Sequence, residues 1–357
     1  MYSHHIHKIS QGAHLTRSDA EAVAEELLAG KLNDDEISLL LSLLRDKGEC
    51  ADELVGFASV MRRHARPVFP SLSAEQRRVL AEEMVDTCGT GGSGRNTFNI
   101  STAAAFVAAG AGVRVAKHGN RTSTSRSGSA DVLEALGVRV EIPTEKSGEA
   151  ILEIGVGFLF ARAAHTATRH AAPARKLLGG HTIFNLLGPL TNPAGAATQV
   201  LGVVHEKWVE PMAWALAELG TRHAFVVHGD DGLDEISLSG ETLVAEVGAP
   251  NQSAVARGSE NLQVRMLRVA PENFGVVRAP LSELVGGGPM ENAAIIRSIF
   301  DGEAGPQRDI VVINAAAAIF VAGRAANLRE GAELAGASID SGAAEEKLDA
   351  LIEFTNR

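Results

Sequence analysis

The stretch "GTGGSGRNTFNISTAAAFVAAGAGVRVAKHG", Gly89–Gly119, decides the fold. A glycine-rich turn leads into "STAAAFVAAGAG", small and apolar over the length of a helix. "VRVAKHG" then has the branched residues and alternation of a strand. Turn, helix and strand in that order are a unit of a parallel α/β sheet. Downstream the alternation continues with "ADVLEALG" as helix, "VRVEI" as strand, "TEKSGEAILEIG" as helix and "FLFA" as strand. "TQVLGVV", the helix "VEPMAWALAELG" and the strand "HAFVVHG" extend it. A long helical excursion, "HTATRHAAPARKLLGGHTIFNLLGPLTNPAGA", interrupts the alternation between residues 161 and 198.

Upstream, residues 16 to 83 read as helices alone. "NDDEISLLLSLLRDKG" has Asn33 and Asp34 as candidate caps, Gly48 as its stop and Leu39, Leu40, Leu43 and Leu44 on one face. The fold class expected is therefore α/β, a small all-helical N-terminal domain plus a large α/β domain with a mainly parallel central sheet. Residues 1–83, completed by inserted helices at about 162–197, form the small domain. Residues 84–161 and 198–357 form the large one.

Composition narrows the function. Lys and Arg number 33 against 44 Asp and Glu, a net charge of -11. So acidic a chain is poorly suited to nucleic acid or to a membrane surface. No apolar run reaches spanning length, and "MYSHHIHKISQG" has no apolar signal core, which points to the cytoplasm. That segment, with its three close histidines, is expected to be a solvated tail. Cys50 and Cys88 show no metal-ligand spacing.

The glycine turn satisfies the dinucleotide pattern G-x-G-x-x-G. A dinucleotide site also needs an acid for the ribose at the end of the next strand, and Lys117-His118 stands there instead. Cations in place of the acid suit a phosphate. Asn99, Ser101 and Thr102 fall at a helix N-terminus, where backbone N–H groups favour anions. "KHGNRTSTSRSGSAD", Lys117–Asp131, offers Lys117, Arg121, Arg126 and His118 among six hydroxyls, with no acid before Asp131. A third element, "HGDDGLDEISLSG", follows a strand and carries Asp230, Asp231, Asp234 and Glu235. Asp230 and Asp231 fit a turn before Gly232, leaving Asp234 and Glu235 as ligands for Mg²⁺ on a polyphosphate. Two anion loops and a carboxylate pair describe a site for a Mg-diphosphate sugar, with pyrophosphate displaced at an anomeric carbon.

"DTCGTGG", "TFNIST", "KHGNR", "SGSADVLEALG", "TIFNLLGPLTNP", "HGDDGLDEIS" and "ENAAIIRSIF", running from Asp86 to Phe300, closely resemble the anthranilate phosphoribosyltransferases. The resemblance implies a homodimer through the helical domain and a Mg²⁺-dependent reaction that uses two ions. The phosphoribosyl group of 5-phosphoribosyl 1-diphosphate would pass to the amine of anthranilate, the second step of tryptophan biosynthesis from chorismate. It also implies residue roles. Gly89, Thr90, Gly91, Gly92 and Ser93 would wrap the diphosphate, completed by Thr97, Asn99, Ile100 and Thr102. Lys117, His118, Gly119, Asn120, Arg121, Thr122, Ser123, Thr124, Ser125 and Ser129 would hold the phosphoribosyl portion. Ser101 would ligate one Mg²⁺, and Asp234 and Glu235 the other. Gly89, His118, Asn120 and Arg175 would face anthranilate, Arg175 pairing with its carboxylate.

Ser93 stands where the family usually has Asp. In "ARAAHTATRH", Arg162, Ala164, Thr166 and Thr168 replace the family's usual Pro, His, Pro and Met. These departures leave a different aromatic amine as an alternative acceptor. A pyrimidine nucleoside phosphorylase shares the Lys-His loop but needs no Mg²⁺, so the Asp234–Glu235 pair argues against it.

Overall fold

The computed structural model describes residues 2–122, 126–248, 255–257 and 262–357. Helices α1 (Tyr2–Ser10), α2 (Arg17–Leu28), α3 (Asp34–Lys47), α4 (Ala51–Arg63) and α5 (Ala74–Glu82) come first. Then β1 (Met84–Gly89), α6 (Ile100–Gly110), β2 (Arg114–Gly119), α7 (Ser129–Ala135), α8 (Thr144–Glu153) and β3 (Val156–Phe160) alternate. The excursion holds α9 (Ala161–Ala164), α10 (Ala172–Leu178) and α11 (Ile183–Leu190). The chain continues through β4 (Thr198–Gly202), α12 (Val209–Glu218), β5 (His223–Gly229), β6 (Thr242–Val247), β7 (Val255–Arg257) and β8 (Leu262–Val269). Helices α13 (Pro289–Phe300), α14 (Pro306–Val321), α15 (Leu328–Asp340) and α16 (Ala343–Asn356) close it.

One sheet runs β3-β2-β1-β4-β5-β6-β8-β7. From β3 to β5 every pairing is parallel, whereas β5–β6, β6–β8 and β8–β7 are antiparallel. Strand order reverses between β1 and β4, so the crevice at their C-terminal ends is where such a sheet receives a ligand. Helix α6 lies under that crevice with almost every residue buried, which a sequence that is Ala-rich and apolar after Ser101 and Thr102 permits. The helical lobe has no separate core. Side chains of α2–α4, α10 and α11 pack continuously with α12 onto one face of β4–β6.

Local signals explain both ends of α3. Asn33 Oδ1 accepts from Glu36 N at 3.0 Å and Glu36 Oε2 accepts from Asn33 N at 2.9 Å, a reciprocal cap on α3. Gly48 ends that helix with φ +85°.

Three expectations are corrected. The buried face of α3 is Ile37, Leu40, Leu41 and Leu44, while Leu39 is exposed; the stripe is set by Ile37 three residues before Leu40. The N-terminal segment is a helix rather than a solvated tail, because His5 and Ile9, one turn apart, are buried and Lys8 Nζ donates to Asp19 Oδ2 at 2.7 Å. "VRVEI" is not a strand. Val138, Val140 and Ile142 alternate inward as a strand's would, but the segment packs onto the core without entering the ladder. Beside β2, its expected sheet position belongs to β3.

Candidate active site

Ends of β1, β2, β4 and β5 surround a cleft of about 440 Å³, within the range of small-molecule sites. The glycine turn leaves β1, with Gly91, Gly92 and Gly94 at positive φ of 66°, 89° and 66°. Thr90 fastens it to β4: its N–H donates to the Gly202 carbonyl at 2.8 Å, and its hydroxyl accepts from Val204 N at 3.3 Å. On the far side, Phe98 N donates to Leu284 O and Gly286 N to Asn96 O, bracing the turn against the 284–286 segment.

The carboxylate loop after β5 joins this turn directly. Asp234 Oδ2 accepts from Gly91 N at 3.0 Å, and Glu235 Oε1 accepts from Ser101 N, in the first turn of α6, at 3.2 Å. Neither carboxylate has an ion-pair partner within 4 Å among the described residues. Burial raises the Asp234 carboxyl above its usual range. Burial first, and Asp234 beside it second, push Glu235 up to about 8. Two half-buried carboxyl groups side by side, with the Ser101 hydroxyl on the same cleft, form a hard-oxygen donor set that fits Mg²⁺. The loop needs close approach, since a Cβ on Gly202 would lie 1.6 Å from the Asp234 carbonyl oxygen. Asn314 of α14 clamps the next residue, its Oδ1 accepting from Ile236 N at 2.9 Å and its Nδ2 donating to Ile236 O at 3.0 Å. Asp230 and Asp231 are turn residues, as their place before Gly232 suggested. Asp231 Oδ1 accepts from Leu233 N at 3.1 Å, and Asp230 pairs with Arg268 at 2.8 Å.

Under the cleft, Lys117 Nζ donates to the Thr87 carbonyl, and its burial lowers the ammonium's pKa against the pull of Asp86. His118 N donates to Asp86 Oδ1 at 3.0 Å, and the imidazole meets His165 edge to face at 5.3 Å between centroids. Burial pushes His118 down to about 3 and His165 down to about 4, so both rings are neutral at ordinary pH.

Asn99 does not cap α6 with its side chain. It reaches across the cleft wall instead, with Oδ1 accepting from Ser127 Oγ at 3.0 Å and from Asn292 Nδ2 at 2.9 Å. Gly89, Thr90, Gly91, Gly92, Ser93, Thr97, Asn99, Ile100, Ser101, Thr102, Lys117, His118, Gly119, Asn120, Arg121, Thr122, Ser129, Asp234 and Glu235 all line the cleft. Ser123, Thr124 and Ser125 lie outside the described residues. Arg121 differs from its expected use as a phosphate cation, because its guanidinium is engaged with Asp131, Glu134 and Glu141.

Arg175 does not line the cleft. It lies over the Phe184 ring at 5.0 Å and is half-buried. Nor do Arg162, Ala164, Thr166 or Thr168 reach it. Asn292, Asn314, Ser127, His181 and His205 contribute to the site without having been given a role. Ser127 was signalled among the hydroxyls of the anion loop, and Asn292 lay inside "ENAAIIRSIF". Away from the cleft, ligand atoms of His14, Cys50 and Glu53 lie within 4.8 Å of one another, a grouping that cysteine spacing could not reveal. Lys47 Nζ already occupies it, 2.7 Å from His14 Nδ1 and 2.8 Å from Glu53 Oε2.

A helical lobe against a sheet whose switch point carries a glycine cradle, a buried lysine and a carboxylate pair defines a transferase of phosphorylated sugars. Comparison with known proteins agrees: a glycosyl transferase family, a/b domain, matches residues 81–345, and the helical bundle domain of such enzymes matches residues 3–65. An anthranilate phosphoribosyltransferase of Symbiobacterium thermophilum is 48% identical over 352 residues, covering 99% of this chain and 97% of that one. The crystal structure of the Thermus thermophilus enzyme of the same name has a TM-score of 0.87 at 44% identity, over 99% of each chain. The structure of the Saccharomyces cerevisiae enzyme, in complex with PRPP and Mg, has a TM-score of 0.81 at 29% identity over 96% of this chain and 94% of that one. The chain belongs to the anthranilate phosphoribosyltransferase family.

Proposed function

We propose that this protein transfers the 5-phosphoribosyl group of 5-phosphoribosyl 1-diphosphate to the amine of anthranilate, releasing pyrophosphate, in tryptophan biosynthesis. The observation that carries the reading is the single contact set in which Asp234 touches the glycine turn and Glu235 touches the start of α6.

The glycine turn lines the cleft and binds the donor's diphosphate through its backbone N–H groups. Ser101, Asp234 and Glu235 would hold Mg²⁺, and two ions is the stoichiometry we propose. The metal held there would supply positive charge against the diphosphate as it leaves. Lys117, buried beneath the ribose position, supplies a fixed positive field. His118, kept neutral by burial, and Asn120 orient the aromatic amine. The anomeric C–O bond breaks, a C–N bond forms, and the amine gives up one proton to solvent. Positioning and electrostatics account for the rate, with no side chain required as nucleophile.

No helix among the described residues is long and apolar enough to cross a membrane. A cytoplasmic homodimer, joined through the helical lobe, is part of the proposal. Leu39 on α3 and Leu177 on α10, 47% and 76% exposed, support that face. The reaction is tested by following loss of anthranilate fluorescence with donor and MgCl₂ beside an EDTA control. Loss only when donor and metal are both present is expected. Persistent fluorescence alongside donor binding would transfer the activity to another aromatic amine.

A further inference from the structure

Thr122 and Gly128 are held together by one side chain. Asp131 Oδ2 accepts from Thr122 N at 3.2 Å and from Gly128 N at 2.9 Å, so one carboxylate holds both. Arg121 locks that carboxylate from outside: Nη1 donates to Asp131 Oδ1 at 3.2 Å. The same guanidinium forks onto Glu134 at 2.5 and 2.7 Å and reaches Glu141 at 3.0 Å. Its other face lies over Phe160, the last residue of β3, at 5.7 Å. The closure is tight, since a Cβ on Gly128 would fall 2.5 Å from Thr122 N and 2.8 Å from Asn120 O.

A guanidinium whose two Nη groups donate to three carboxylates has its charge outweighed. It is a poor partner for a phosphate. We propose that Arg121 is a positioning residue: with Asp131, Glu134 and Glu141 it forms a clasp that sets the loop for the donor without touching the donor. This inference rests on the proposed donor reading of the loop. The anion itself is left to backbone N–H groups, the hydroxyls and Lys117.

The clasp and direct contact predict opposite results for the carboxylates. If Arg121 met phosphate, releasing it from Glu134 and Glu141 would leave donor binding unchanged or tighter. If it closes the loop, their removal weakens donor binding in the same direction as removal of Arg121. The experiment compares Arg121→Gln, Arg121→Lys, Glu134→Gln/Glu141→Gln and the combination of Arg121→Gln with that pair. Donor KM, kcat and the exchange rates of the Thr122 and Gly128 amides in donor-free protein are measured for each.

Expected are a donor KM raised about 10-fold in Arg121→Gln and about 3- to 10-fold in the glutamate pair. The combined variant should add little, because both changes break one unit. Arg121→Lys keeps the charge but not the fork and falls between, with kcat within about 2-fold throughout. Amide exchange at Thr122 and Gly128 should accelerate in the same order. A raised donor KM in Arg121→Gln with an unchanged glutamate pair overturns the clasp in favour of direct contact. Unchanged exchange in every variant overturns it as well. Should wild-type protein fail to bind the donor while exchange follows the expected order, the clasp stands and the donor reading falls. If Arg121→Gln does not fold, the lysine variant and the glutamate pair still decide between the two.

Discussion

Two acidic clusters flank the cleft, alike in composition and opposite in use. Asp131, Glu134 and Glu141 are tied to Arg121 and stand partly in solvent. Asp234 and Glu235 are half-buried with backbone N–H groups for partners, and desolvation raises both carboxyls. Exposed, paired carboxylates shape a loop at little cost. Desolvated carboxylates without a paired cation are held at a cost that an incoming metal would offset. Pairing separates the two clusters, and it is why the second is the one proposed for the metal.

The sharpest way to break this comparison is to neutralise each cluster. Asp234→Asn with Glu235→Gln should lower kcat/KM by about 1,000-fold or more, since metal binding itself is lost. Thermal stability should hold or rise, because two carboxyls whose ionised form the site disfavours become neutral amides; scanning calorimetry beside steady-state kinetics checks both. The roughly 10-fold donor effect of the Arg121 cluster would then lie about two orders of magnitude below. Equal losses from the two clusters would dissolve the distinction.

Next in size is Gly202→Ala, which leaves every charge in place. Its Cβ would collide with the Asp234 carbonyl, so the carboxylate loop must shift. About a 100-fold loss of kcat/KM is expected, with a raised Mg²⁺ requirement in activity titrations. Full activity would mean that the loop's position matters less than its charge. On the acceptor side, Arg175→Ala should raise the anthranilate KM about 10-fold while donor KM stays constant. For Arg175 to act, it must leave Phe184, and the split between the two KM values reports whether it does.

The smallest effect concerns stability alone. His118 and His165 have folded pKa values of about 3 and 4, below the ordinary imidazole value of 6.5. As pH falls below about 6.5 the unfolded chain takes up protons that the native rings refuse. Stability should therefore decline from about pH 6.5 toward about pH 4, by up to about 1.4 kcal/mol per pH unit for each ring, and be insensitive to them above about pH 7. Urea unfolding at a series of pH values measures the slope, and His165→Asn should reduce it. An unchanged slope would show that His165 is not held neutral by the fold.

Much of this was legible in the sequence because local chemistry declares itself. Asn33 and Gly48 mark helix ends through caps that any helix requires. The glycines after β1 and the Lys117-His118 pair led to the expectation of a phosphate cradle, and every described donor residue expected there lines the cleft. What stayed hidden depends on partners distant in sequence. Val138–Ile142 has a strand's alternation, but ladder membership depends on β3 taking the place beside β2. The antiparallel strands β6–β8 lack the intervening helices that made the parallel half readable. Arg121 looked like a free cation because Glu134 and Glu141 come near it only through the fold. Asn314 sits in the apolar run "INAAAAIFVAG", and nothing local says that it clamps the carboxylate loop.

The most direct test of the central claim is calorimetric titration of 5-phosphoribosyl 1-diphosphate into wild type and into Asp234→Asn/Glu235→Gln, with MgCl₂ and with EDTA. Binding by wild type with MgCl₂ alone, and its loss in the double variant, is the predicted result. Equal affinity in EDTA, or undiminished Mg²⁺-dependent binding by the double variant, would contradict the assignment of Asp234 and Glu235 as the metal-holding pair.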